Sequence, residues 1–187
     1  MNNRDSLRGP SFEPNDNPKK LVFLLHGYGD NGDNFISLAQ LLYDSKYNIN
    51  FYAPNAPSPV PQYPTGRQWF DLYPNGIHFN EAGPLEKELL KKDCLSSLKL
   101  IKDYIDDLCS KYKLEYKDCF VVGFSQGAMI AYELGNHINK TLAGCIMLSG
   151  RILSFNKLAD QIFVKTPLLI VHGDKDEIVP SKYYTEA

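Results

Sequence analysis

Phe120-Val121-Val122-Gly123-Phe124-Ser125-Gln126-Gly127-Ala128 decides how this chain is read. A short apolar run, as expected of a strand buried on both faces, hands over at Ser125 to a segment of small and helix-compatible residues. A glycine stands two positions to either side of the serine. That spacing suits a serine held on a strained turn between strand and helix, where bulkier neighbours would collide. The turn also puts Ser125 at a helix N-terminus, where free backbone N–H groups and the helix dipole favour negative charge. As a bare pattern Gly-x-Ser-x-Gly is weak. The strand before it and the helix after it make it specific.

Working outward, Leu21-Val22-Phe23-Leu24-Leu25 is a second buried-strand run, ending in His26-Gly27-Tyr28-Gly29. Asn34 to Tyr43 carries apolar residues at helical spacing, and residues 49–53 read as a strand stopped by Pro54. From Asn55 to Pro84 the chain is rich in Pro, Gly and aromatic residues and shows no clear period, so an ordered functional loop is expected. Leu85 to Tyr112 has an apolar stripe through Cys94, Leu98, Ile101, Ile105, Leu108 and Tyr112, with charged residues opposite. A helix from Gln126 to Ile138 and strands over 118–124, 142–148 and 168–171 follow. Strands alternating with helices imply a parallel α/β sheet covered on both faces.

Composition sets the limits. The 187 residues suit one domain, expected over residues 19–187 behind a flexible N-terminal arm at 1–18. A formal net charge of −2 with interspersed signs argues against a nucleic-acid or anionic-membrane partner. No apolar run approaches the ~20 residues that span a bilayer, so stable membrane insertion is not expected. Cys94, Cys109, Cys119 and Cys145 lack the close pairing of zinc or thioredoxin-type motifs. Without a secretory signal they read as buried free thiols of a cytoplasmic protein.

The loop after the first clear strand and the residue after the serine are positioned to supply backbone donors. The Tyr28 and Gln126 amides are therefore expected to form the oxyanion hole. His26 itself reads as structural. A second acidic loop, His172-Gly173-Asp174-Lys175-Asp176-Glu177-Ile178-Val179-Pro180, follows the last strand. It offers two carboxylates, Asp174 and Asp176, and loop geometry alone does not separate them.

Taken together these motifs resemble the phospholipase/carboxylesterase family, which includes the acyl-protein thioesterases, within the α/β-hydrolase fold. The matching residues include Leu25-His26-Gly27-Tyr28-Gly29-Asp30, Pro54-Asn55-Ala56-Pro57, Trp69-Phe70-Asp71, Gly123 to Ala128, Leu148-Ser149-Gly150 and the acidic loop through Pro180. The resemblance implies ester or thioester hydrolysis through an acyl-serine, with Ser125 as nucleophile, Asp176 as the catalytic aspartate and neither metal nor cofactor. It also implies an acyl groove beside Ser125, for which Trp69, Phe70 and Leu153 are the expected walls, with packing in the core as their alternative role.

The family pattern continues past the acidic loop with a helix, a strand, a Gly-His loop and a closing helix. Here the sequence ends eleven residues beyond Asp176, and His26, His78, His137 and His172 all precede that acid. The expectation is thus a mostly parallel α/β-hydrolase sheet lacking its last strand and helices, with the catalytic histidine absent from the chain. A truncated esterase is the favoured explanation. A histidine supplied by a partner, as in a homodimer, and a non-catalytic acyl-binding or interaction protein on a degenerate hydrolase fold are the alternatives.

Overall fold

A computed structural model describes residues 6–153 and 166–180. The expected domain is covered except for residues 154–165 and 181–187, and the expected arm except for residues 1–5; those segments lie outside the described residues. In chain order the strands are β1 (Ser11–Phe12), β2 (Lys20–Leu25), β3 (Ile49–Tyr52), β4 (Ser58–Val60), β5 (Tyr63–Gln68), β6 (Cys119–Phe124), β7 (Gly144–Leu148) and β8 (Leu168–Val171). The helices are α1 (Gly32–Phe35), α2 (Ser37–Leu42), α3 (Pro84–Tyr112) and α4 (Gln126–His137).

Six strands form one sheet in the order β1-β3-β2-β6-β7-β8. Every pairing from β3 to β8 is parallel, and only β1 runs antiparallel, against β3. This is the mostly parallel α/β sheet expected from the alternating pattern. Because successive side chains point to opposite faces, β2 feeds two cores. Leu21, Phe23 and Leu25 join Leu98, Ile101 and Ile105 of α3 and Ala128, Ile130 and Leu134 of α4. Val22 and Leu24 face the other way, with Ala39, Phe51 and Val122.

The long helix is built as its stripe requires. Pro84 enters at its first turn, where the missing N–H is no loss. Lys113 closes it in the left-handed conformation, φ 55°, while the Leu114 amide donates to the Cys109 carbonyl.

Three expectations need correcting. The described part of the arm packs on the sheet: Leu7 is buried, Ser11–Phe12 pairs with β3, and Asn15 bonds to Asn50 and the Ile49 carbonyl. A short segment completes the free edge of β3 and is held there. The aperiodic stretch from Asn55 contains the antiparallel hairpin β4–β5, whose register shifts at Pro59/Val60. That irregularity hides the two-residue period. The single helix expected from Asn34 to Tyr43 is two short ones that meet at Ile36. Beyond these, Leu168, Leu169 and Val171 are about half exposed, because β8 is the outer strand of the described sheet.

Candidate active site

Ser125 sits between β6 and α4 with φ 51° and ψ −113°. A β-carbon added at Gly123 would lie 2.2 Å from the Gly127 carbonyl oxygen, and one at Gly127 would lie 2.0 Å from that of Leu25. No side chain fits at either position, which is the physical reason for the two flanking glycines. The Ser125 amide donates to the Leu148 carbonyl at 2.9 Å, fixing the turn to the end of β7.

The turn after β2 is fixed just as firmly. The Gly29 amide donates to the Arg67 carbonyl (2.9 Å) and the Asp30 amide to the Gly27 carbonyl (3.3 Å). The amide of Tyr28, between them, has no acceptor among the described residues. Neither has the Gln126 amide, which opens α4. Tyr28 and Gln126 line the same pocket as Ser125, and neither N–H has an acceptor among the described residues.

The Gln126 side chain has a different task. Its Oε1 accepts from the Trp69 amide and its Nε2 donates to the Phe70 carbonyl, both at 2.8 Å. Trp69 Nε1 in turn donates to the His26 carbonyl at 2.9 Å. Trp69 and Phe70 are each only 1% exposed. The structure thus places these two expected groove walls in the core, where they brace the two turns. Leu153 is half-buried against the large core cluster.

The walls around Ser125 come from elsewhere. A pocket of about 80 Å³ is lined by Ser125, Tyr28 and Gln126 together with Leu72, Phe79, Met129, Ile178 and Val179, with His78, Asn80 and Arg151 at its polar side. Arg151 donates from Nη1 to Asn80 Oδ1 at 2.6 Å, and its guanidinium lies 4.7 Å from the centre of the Phe79 ring. Of these residues, the sequence pointed to Ser125, Tyr28 and Gln126. Leu72, Phe79 and Met129 look like ordinary core positions in sequence, and no local motif marks Arg151.

The two acids are separated by their surroundings. Asp174 is exposed. Asp176 Oδ1 accepts from the Ile178 and Val179 amides at 3.0 and 2.9 Å, and its Oδ2 lies 3.6 Å from His172 Nε2. The Val179 amide, then that of Ile178, the charge of His172 and a bond from the Ser149 hydroxyl hold this carboxyl below its ordinary range. Ser149 is itself in the left-handed region, φ 48°. Asp176 is thus oriented by its own loop, and the same loop delivers Ile178 and Val179 to the pocket wall.

Each histidine has a definable place. His26 is fully buried; its Nε2 accepts from the Ala56 amide (3.0 Å), so Nδ1 carries the proton and donates to the Gly27 carbonyl (2.8 Å). Burial depresses its pKa and keeps it neutral. His172 Nε2 donates to the Val179 carbonyl at 2.5 Å and so ties the acidic loop to β8. His137 is exposed at the far end of α4, about 18 Å along the axis from Ser125. His78 reaches the pocket, but its Nδ1 accepts from the Asn80 amide at 3.3 Å. The neutral ring then carries its proton on Nε2, the tautomer that donates rather than accepts there. Among the described residues, no histidine is hydrogen-bonded to the Ser125 hydroxyl.

Residues 12–187 match the sequence profile of the family described as Phospholipase/Carboxylesterase. Acyl-protein thioesterase 1 of Candida albicans is 29% identical over 177 residues, which cover 88% of this chain and 74% of that protein. The acyl-protein thioesterase 1 of Schizosaccharomyces pombe is 30% identical over 175 residues, or 86% of this chain and 70% of its relative. Among solved structures, esterase PE8 superposes with a TM-score of 0.80 at 34% identity, covering 95% of this chain and 80% of that one. The Bacillus cereus carboxylesterase shares the fold, with a TM-score of 0.74 at 21% identity over 96% of this chain and 76% of the other.

Proposed function

This chain belongs to the phospholipase/carboxylesterase family, and from that premise we propose that it cleaves short-to-medium acyl esters or thioesters through an acyl-serine formed on Ser125. The observation that carries the reading is the pair of Tyr28 and Gln126 amides, without acceptors among the described residues, in the pocket that a strained serine also lines. In this mechanism the Ser125 Oγ attacks the acyl carbonyl carbon. The carbonyl oxygen gains negative charge and is held by the two amides, each worth about 3 kcal/mol of barrier. Collapse of the tetrahedral intermediate expels the alcohol or thiol, and water then releases the acid from the serine. Asp176, held ionised, is the group that would orient a histidine and stabilise its charged form. The small apolar pocket favours a short acyl group over a long chain.

The relatives named acyl-protein thioesterase suggest that S-acylated proteins are one substrate class. Esters are the other, by analogy with esterase PE8. The base is the remaining piece. Without one, the serine hydroxyl is a poor nucleophile at neutral pH, and about 10³–10⁴-fold acceleration remains from the oxyanion hole and binding.

The test is hydrolysis of p-nitrophenyl acetate and butyrate, with Ser125→Ala as control, on the 187-residue chain and on any longer product of the same gene. Ser125-dependent turnover by the 187-residue chain would assign the base to His78 or to a histidine donated across a homodimer. Turnover confined to a longer product would place the base after Asp176 in chain order. Ser125-independent rates in every form would favour the rival reading, an acyl-binding protein without catalysis.

A further inference from the structure

Away from the Ser125 pocket, the end of α3 meets the start of β6. There Cys109 Sγ and Cys119 Sγ lie 3.4 Å apart. Both side chains are buried, and Cys119 Sγ also contacts the Glu115 carbonyl oxygen at 3.4 Å. The chain between them makes a left-handed cap at Lys113 and a short 3-10 turn at Tyr116–Asp118, and so returns the second cysteine to the first. Closing the gap to a bonded S–S distance of about 2.0 Å requires the sulfurs to approach by little more than an ångström.

Access is one-sided. Cys109, but not Cys119, lines an open surface cleft of about 740 Å³, with Asp106, Glu115, Tyr116, Asn139 and Lys140 among its walls. The Lys140 ammonium lies 4.6 Å from the centre of the Tyr116 ring beside that opening. The hydrogen bond from Cys119 favours the thiolate of Cys109, whereas the same bond and burial hold Cys119 protonated. Cys94 and Cys145 are buried, and burial alone pushes the Cys145 thiol up to about 12.

We propose that Cys109 and Cys119 form an oxidisable dithiol site that a small hydroperoxide converts into an intramolecular disulfide. The Cys109 sulfur attacks the terminal oxygen of hydrogen peroxide, the O–O bond breaks, and the departing oxygen takes up the Cys109 proton and leaves as water (an organic hydroperoxide would release its alcohol), giving a sulfenic acid on Cys109. The Cys119 sulfur then attacks the Cys109 sulfur, the S–O bond breaks, and the hydroxyl leaves as a second water with the Cys119 proton. Two thiols lose two electrons in all, and one hydroperoxide is reduced. The bridge ties the end of α3 to the strand that leads into Ser125. It is independent of the esterase reading.

The test uses hydrogen peroxide on the whole chain, followed by alkylation and peptide mapping by mass spectrometry. The expected result is a fall from four free thiols to two, with a Cys109–Cys119 linked peptide and with Cys94 and Cys145 still alkylated. Cys119→Ser should halt at a Cys109 sulfenic acid that dimedone traps. The same oxidation in urea should scramble the pairing, a comparison on the natural sequence that stands even where the variant fails to fold. Four free thiols after treatment, or faster oxidation of Cys94 or Cys145, would overturn the proposal. So would native protein whose linkages match those formed in urea.

Discussion

At Ser125 the backbone holds φ 51° and ψ −113°, a conformation that costs an L-residue about 1–3 kcal/mol and persists because its surroundings leave no alternative. Gly127 shows how closely they fit. Gly127→Ala would drive a methyl group to 2.0 Å from the Leu25 carbonyl oxygen, so β2 and α4 must separate. Overpacking of this kind costs typically 1–3 kcal/mol and occasionally more; urea denaturation should show a loss at or above the top of that range. His26 is a second point of leverage. His26→Ala leaves the Ala56 amide buried without its acceptor and removes the donor to Gly27. A destabilisation of about 1–3 kcal/mol is expected from the orphaned amide, again by urea unfolding. A His26→Ala protein as stable as its parent would remove this residue from the scaffold of the oxyanion turn. Burial keeps His26 neutral by lowering its pKa. Its contribution is therefore complete above the ordinary histidine pKa and declines as pH falls through the lower folded-state value.

Among the elements, β1 and the end of α3 are joined through Glu13. Burial works against its charge, but bonds from the Tyr112 hydroxyl, the Ser11 hydroxyl and the Lys111 ammonium prevail and bring its pKa down to about 2. A carboxylate with a depressed folded-state pKa stabilises the fold above its unfolded value of about 4.3. That stability is lost as pH drops from there towards 2. Glu13→Gln should lower stability above about pH 5, converge with the parent towards pH 2 and so flatten the acid limb of the stability–pH curve, as read by thermal unfolding between pH 2 and 7. An unchanged acid limb would show that the carboxylate does not hold the segment. This contact was not legible in the sequence, since a short polar, proline-containing segment carries no period of its own. By contrast, the stripe from Cys94 to Tyr112 announced α3 to within a residue, because a single face of regular spacing is a local signal. The hairpin β4–β5 was hidden by its bulge at Pro59/Val60 and by prolines that interrupt alternation.

For the whole molecule, the same division separates what was legible from what was not. Ser125, Tyr28, Gln126 and Asp176 stand in short motifs at strand ends, where one turn dictates the residue types, so their neighbourhood could be read directly. The walls of the pocket come from three regions distant in sequence, Leu72 and Phe79, then Met129 and Arg151, then Ile178 and Val179. Only the parallel order β2-β6-β7-β8 brings them together. Trp69 and Phe70 carried two readings in sequence, groove wall or core, because an aromatic residue near a motif suits either; here Gln126 draws their backbone into the core. No helix among the described residues is long and apolar enough to cross a membrane.

The central claim is that Ser125 is a nucleophile set in a built oxyanion site. It is tested most directly by reacting the folded protein with a fluorophosphonate, whose phosphoryl oxygen occupies the oxyanion position, and mapping the adduct by mass spectrometry. One phosphonate on the peptide carrying Ser125, absent from Ser125→Ala and from urea-unfolded protein, is the expected result. An adduct on another residue, or none under conditions that label esterase PE8, would contradict it.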